Sequence, residues 1–183
     1  MLKKILVITG VVVVMAFFVN AADKEELLCG FEDEGDIDVW ETSESTVSLD
    51  SKNVTQGKGC IRWEVSAKEK KKDSGPFICV QGKKLVSLMT TDWSKSKSVK
   101  IDAYNDGDFG ADVIWRFKAE DVNSKKAYEK HFTLPRKKKI TLEIPISDLK
   151  TKIDVSQIIM IKLYMWEPEG EYKIYFDNLR LSK

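Results

Sequence analysis

Seven side chains in this sequence combine flat rings with groups that grip hydroxyls: Asp102, Tyr104, Arg116, His131, Lys162, Tyr164 and Trp166. A sugar presents C–H faces that stack on aromatic rings and hydroxyls that need paired donors and acceptors. Asp accepts, Arg donates, and His or Tyr does either. A solvent-open sheet face carrying both kinds of group meets the physical requirement for holding a glycan chain. The alternative is a set of exposed aromatics that merely cover a sheet. A second candidate chemistry lies in Glu34-Gly35-Asp36-Ile37-Asp38-Val39-Trp40-Glu41. Carboxylates two residues apart on a strand share a face, and a carboxyl pair about 5–9.5 Å apart is what glycoside hydrolysis uses. Here the Gly and Asp content suggests a loop instead.

Other chemistries are excluded. The one histidine, His131, rules out any metal or catalytic scheme that needs two. A nucleophile elbow, a phosphate-binding loop and a zinc-protease helix are all absent. Cys29, Cys60 and Cys79 leave at least one thiol unpaired. Cys60 and Cys79, on strands read as neighbours, are the expected pair if a disulfide forms, and three small buried hydrophobes is the equal alternative.

The elements that must position these residues are strands. Ile61, Trp63 and Val65 alternate with Arg62 and Glu64, and Val99, Ile101 and Ala103 with Lys100, Asp102 and Tyr104. Val113, Trp115 and Phe117 alternate with Asp112, Ile114 and Arg116, and Ile161 and Leu163 with Lys162, Tyr164 and Trp166. Period-two patterning of this kind marks half-buried strands with one face inward. It assigns Trp63, Trp115 and Phe117 to the core and the polar-aromatic set to the outside. His131 joins the outside if Lys130, Phe132 and Leu134 point in. Turn signals such as Gln56-Gly57-Lys58-Gly59 and Asn105-Asp106-Gly107-Asp108 separate the strands. About nine or ten strands at this spacing predict an all-β antiparallel sandwich or jelly roll. Short helical turns are expected at Lys83–Met89 and Ser147–Lys150, and Trp93 is expected to plug an end of the sandwich.

Composition agrees with one globular domain. The chain has 183 residues, 43% hydrophobic and 32% charged, with 30 basic against 29 acidic residues. That balance excludes a dedicated nucleic-acid binder and a disordered chain. Lys3 and Lys4 followed by an apolar run to Val19 form a secretory leader pattern, with cleavage expected after Ala21. The run is short for a membrane span. Residues 1–21 are therefore read as a signal peptide, 22–183 as the sandwich domain, and the protein as secreted or periplasmic. Two basic clusters, Lys68 to Lys72 and Arg136 to Lys139, flank turns. Solvated loop lysines explain them, and an anionic polysaccharide is the alternative. Glu32 and Asp177 are hard-oxygen candidates for calcium, because first and last strands of a sandwich commonly pair and would bring them near the Gly57-Lys58 turn.

A resemblance rests on an ordered series of segments. These are Phe31-Glu32, Val54-Thr55-Gln56-Gly57-Lys58, Ile61-Arg62-Trp63-Glu64-Val65 and Asp92-Trp93-Ser94, followed by Ile101-Asp102-Ala103-Tyr104-Asn105. Ile144-Pro145-Ile146-Ser147-Asp148-Leu149 and Ile174-Tyr175-Phe176-Asp177-Asn178-Leu179-Arg180-Leu181 complete it. In this order they resemble the jelly-roll carbohydrate-binding modules of the galactose-binding-domain-like group, and are most similar to the family-eleven-like modules found beside bacterial glycoside hydrolases. The resemblance implies non-catalytic polysaccharide or oligosaccharide binding on a concave face carrying Tyr104, Arg116, Tyr164 and Trp166. It also implies a structural calcium held by the Glu32 and Asp177 side chains and the Lys58 carbonyl. A separate glycoside hydrolase is the partner such a module would serve. A structural or protein-interaction module of the cell envelope on the same fold is the alternative, and a small glycanase a further one.

Overall fold

The structure is a computed structural model that describes residues 24–66, 75–119 and 126–183. The expected leader and the Lys68 to Lys72 cluster lie outside the described residues. Two antiparallel sheets form a sandwich. One runs β3 (Ser45–Asp50), β4 (Cys60–Val65), β11 (Tyr172–Ser182), β6 (Ser98–Asn105), β9 (Lys139–Pro145), with β1 (Glu25–Cys29) on the far half of β11. The other runs β2 (Glu41–Ser43), β5 (Phe77–Gln81), β10 (Ile158–Tyr164), β7 (Ala111–Ala119), β8 (Ala127–Leu134). We call them the β11 sheet and the β10 sheet. First and last strands pair, as expected, and every named strand pair is antiparallel.

The alternation read from the sequence sets the core. Trp63, Trp115 and Phe117 are fully buried between the sheets, and so is Trp93. Trp93 lies edge-on to Phe117 with centroids 5.5 Å apart, and its Nε1 donates to the Thr90 carbonyl. Trp115 and Phe117 sit 4.9 Å apart, and Trp63 lies 6.1 Å from Phe176 across the β4–β11 pair. Each such ring removes about 150–250 Å² from water, a gross stabilisation of roughly 4–6 kcal/mol at about 25 cal/mol per Å². The residues between them in sequence face outward, so the core rings fix the orientation of both outer faces.

Three short helices complete the described chain: α1 (Glu34–Asp38), α2 (Gly82–Leu88) and α3 (Ile146–Lys150). The last two match the expected helical turns. They seal the edges by burying Leu85, and Ile146 with Leu149. No helix among the described residues is long and apolar enough to cross a membrane.

One sequence expectation fails here. Cys60 and Cys79 are not on neighbouring strands: β4 belongs to the β11 sheet and β5 to the β10 sheet. Cys29, Cys60 and Cys79 are all buried thiols. Burial pushes Cys29 and Cys60 up to about 12 and Cys79 to about 11, away from the thiolate that nucleophilic chemistry needs. The reading as small hydrophobes is the one the structure supports.

Candidate functional site

On the outer face of the β10 sheet, strand register lines side chains up in rows. Phe77 on β5 faces Tyr164 on β10, Tyr164 faces Ile114 on β7, and Ile114 faces His131 on β8. One step along the strands, Cys79, Lys162, Arg116 and Glu129 form the next row. A groove of about 500 Å³ opens at the first row, lined by Asp112, Ile114, Glu129, His131, Tyr164 and Trp166. Its floor is the buried Ile114, and its rim carries Trp166, 64% exposed.

Four of the lining groups have partners that hold them in place. Trp166 lies two residues past the end of β10, and the Met165 N–H between them donates to the Pro76 carbonyl at 3.1 Å, which ties that chain end to the start of β5. Gly75 allows the approach, since a Cβ there would lie 1.9 Å from the Met165 carbonyl oxygen. Asp112 accepts a hydrogen bond from the Thr133 hydroxyl at 2.7 Å. Glu129 pairs with Arg116 Nε at 2.8 Å. Burial, the Glu129 charge and a hydrogen bond to Glu129 push the Tyr164 phenol above its usual range. It therefore stays a neutral donor at any ordinary pH. Phe132 and Leu134 do turn inward, and His131 is exposed as that parity required. The groove thus presents ring faces beside two carboxylates, a phenol and an imidazole, with the ion-paired Arg116 guanidinium in the next row.

Of the seven residues predicted to share one face, five lie on this one: Arg116, His131, Lys162, Tyr164 and Trp166, with His131, Tyr164 and Trp166 in the groove itself. The other two do not. Asp102 and Tyr104 project from β6 onto the outer face of the β11 sheet, on the opposite side of the molecule. Period-two parity says which side of its own sheet a residue occupies. It does not say which sheet the strand joins. Asp102 is buried in a polar network, accepting from Thr141 Oγ1 at 2.7 Å, Thr55 Oγ1 at 2.9 Å and Asn178 Nδ2 at 3.1 Å, and pairing with Arg180 at 3.2 Å. Tyr104 lies beside Tyr175, centroids 6.2 Å apart. Asp112, Ile114 and Glu129 were missed as groove residues. The signal was present: Asp112 and Ile114 share the parity of Arg116, and Glu129 that of His131.

The carboxylates considered for hydrolysis are dispersed. Asp36 and Asp38 lie on α1, two residues apart and so about 200° around the helix. Asp36 accepts from the Glu32 N–H at 2.9 Å, while Glu41, on β2, pairs with Lys84 at 3.3 Å.

Glu32 and Asp177 converge on one loop from two sides. Lys58 N–H donates to Glu32 Oε2 at 2.7 Å. Asp177 Oδ2 accepts from the Thr55 N–H and hydroxyl and, at 2.9 Å, from the Gln56 N–H. Gly57 makes the closure possible: its φ is +74°, and a Cβ there would lie 1.5 Å from Glu32 Oε1. Two carboxylates on a single loop suit a hard cation, and Asn178 Oδ1 beside them is buried without a hydrogen-bond partner. In this arrangement the loop turns amide hydrogens toward both carboxylates.

No protein-family model and no curated protein matches the sequence. The fold has clear counterparts among solved structures. A family 11 carbohydrate-binding module from Clostridium thermocellum, in complex with a β-1,3-1,4-mixed-linked tetrasaccharide, superposes with a TM-score of 0.65 at 17% identity, covering 88% of this chain and 97% of that one. An exo-β-agarase gives 0.68 at 14% identity, covering 85% of this chain and only 24% of the agarase. A xylan-binding domain from Paenibacillus barcinonensis gives 0.52 at 15% identity, covering 88% of this chain and 97% of the domain. At these identities the likeness establishes the architecture, a jelly-roll sandwich of the family 11 kind.

Proposed function

We propose that this chain is a secreted, non-catalytic carbohydrate-binding module whose polysaccharide lies across the outer face of the β10 sheet. The observation that carries the reading is the groove itself: Trp166 and Tyr164 supply ring faces on one side, Asp112, Glu129 and His131 supply hydroxyl partners on the other. Full-length likeness to two glycan-binding modules supports it. The acids weighed for hydrolysis are split between a helix and a paired strand, which favours binding without cleavage. An agarase carries a similar sandwich as about a quarter of its chain. A separate glycoside hydrolase acting on the same polymer is the partner this arrangement suits. The test is affinity electrophoresis against a panel of plant, algal and microbial glycans, with a reducing-sugar assay on the same panel. The expected result is retardation by at least one glycan and no new reducing ends. Unchanged mobility throughout overturns the reading, and release of reducing sugar replaces it with the hydrolase alternative.

A structural calcium at Glu32, the Lys58 carbonyl and Asp177 belongs to the same proposal. Its support is the convergence of two carboxylates on the 55–58 loop. A ligand at about 100 times its Kd stabilises by roughly 2.7 kcal/mol, or about 5–10 °C in Tm for a domain of this size. Melts in excess calcium and in chelator should differ by that amount, and Glu32→Gln should remove the difference. Superimposable melts would mean that the amide-to-carboxylate bonds hold the loop unaided.

A further inference from the structure

The same face carries cations that the groove does not explain. Lys162 stands at its centre, with Nζ 3.8 Å from the Phe77 ring centroid and 5.3 Å from that of Tyr164. Arg116 is its direct cross-strand neighbour, and Lys118, facing Met160, is the diagonal one. Like charges opposite one another on a sheet destabilise it unless something of opposite sign intervenes. The carboxylates of this face are committed elsewhere: Glu129 to Arg116, and Glu41 to Lys84. Asp112 holds the Thr133 hydroxyl. It lies six residues along β7 from Lys118, roughly 20 Å at about 3.3 Å per residue. Among the described residues neither Lys162 nor Lys118 has an ion-pair partner. Burial and the fields of Arg116 and Lys118 outweigh the opposing fields of Cys79 and Glu129 and hold the Lys162 ammonium below its usual range. Two aromatic rings give it a partial substitute for an ion pair.

We infer that Lys162, with Lys118 and Arg116 around it, is an anion subsite that receives the carboxylate or sulfate ester of an acidic polysaccharide. This inference rests on the reading of the face as a glycan site, and it names the substrate class. A sugar ring stacked on Tyr164 and Trp166 places its neighbour along the chain over Lys162, about two residues further down the strand. A negative substituent there supplies the missing counter-charge, and the ammonium bonds to it with charge assistance. The face is thereby polar along its length, with Asp112 accepting hydroxyls at one end and cations taking the acid at the other.

The experiment is isothermal titration of three oligosaccharide types of matched length: a neutral β-glucan, a polyuronate and a sulfated galactan. Each is run at low and high salt on the wild-type chain, Lys162→Met, Lys162→Arg and Trp166→Ala. Expected is tighter binding of one acidic type than of the neutral one, weakened by salt. Lys162→Met should lose about tenfold on the acidic glycan, Lys162→Arg should retain it, and the neutral glycan should be indifferent to either. Whichever acidic arm binds identifies carboxylate or sulfate as the source. Neutral binding that depends on Trp166, with no acidic preference and no salt effect in wild type, overturns the anion subsite and leaves the glycan face standing. Absence of binding to all three overturns both. The wild-type salt dependence decides the matter even if Lys162→Met folds poorly.

Discussion

Trp166→Ala should weaken glycan binding by about 30-fold or more, equivalent to roughly 2 kcal/mol, the scale of an interface hot spot, and leave thermal stability unchanged. The two halves of that expectation have separate causes. Trp166 is 64% exposed and contributes little to the core, so its removal leaves no cavity. It also forms the open rim of the groove, where a sugar face would cover the indole. Trp63, Trp93 and Trp115 behave oppositely. Each is fully buried, and truncation to Ala costs about 3–5 kcal/mol of folding stability. Trp40 is also buried, so Trp166 is the one exposed tryptophan of five. A change in tryptophan emission on adding glycan therefore reports on Trp166 and should vanish in Trp166→Phe, which keeps part of the stacking affinity. Full affinity retained by Trp166→Ala would move the binding face elsewhere.

The reason only part of this site was legible in the sequence is physical. Side-chain period is local, so Trp115 and Arg116 could be assigned to opposite sides of β7 from their own neighbours. Sheet membership is not local. β6 and β7 are consecutive, joined by the Asp106-Gly107-Asp108-Phe109-Gly110 turn, yet they lie in different sheets. The chain crosses the sandwich there, and Asp102 and Tyr104 go to the far side while keeping outward parity. The same crossing logic separates Cys60 from Cys79. Pairing of β1 with β11 was readable because closure of the sandwich demands it, and that brought Glu32 and Asp177 to one loop. Lys162 was visible as an outward residue. Its lack of a counter-ion was not, because that depends on where Glu129 and Glu41 find partners across strands.

The outer face of the β11 sheet has a different task, and Asp102 carries it. Asp102→Ala is expected to lower stability by about 3–5 kcal/mol, on the order of 10 °C in Tm. The loss leaves Thr141 and Asn178 without this acceptor, while the Thr55 hydroxyl keeps Asp177. It also leaves the largely buried Arg180 with Glu25 as its remaining carboxylate partner. Burial alone would raise the Asp102 carboxyl, but hydrogen bonds from Thr141 and Thr55 and the Arg180 charge overcome it, so the folded group lies below its ordinary value of 3.8. A carboxylate depressed on folding stabilises fully above its unfolded pKa and loses that contribution as pH falls through the folded one. The Tm gap between wild type and Asp102→Asn should accordingly be widest near neutral pH and narrow as pH falls past 3.8 and through the lower folded-state value, measured by calorimetry across pH. Because this network and the groove lie on opposite sheets, the Asp102 variants should bind glycan with wild-type affinity at temperatures well below their own Tm. A folded Asp102→Asn chain that no longer binds would place the ligand on the β11 sheet and displace Trp166 from the site.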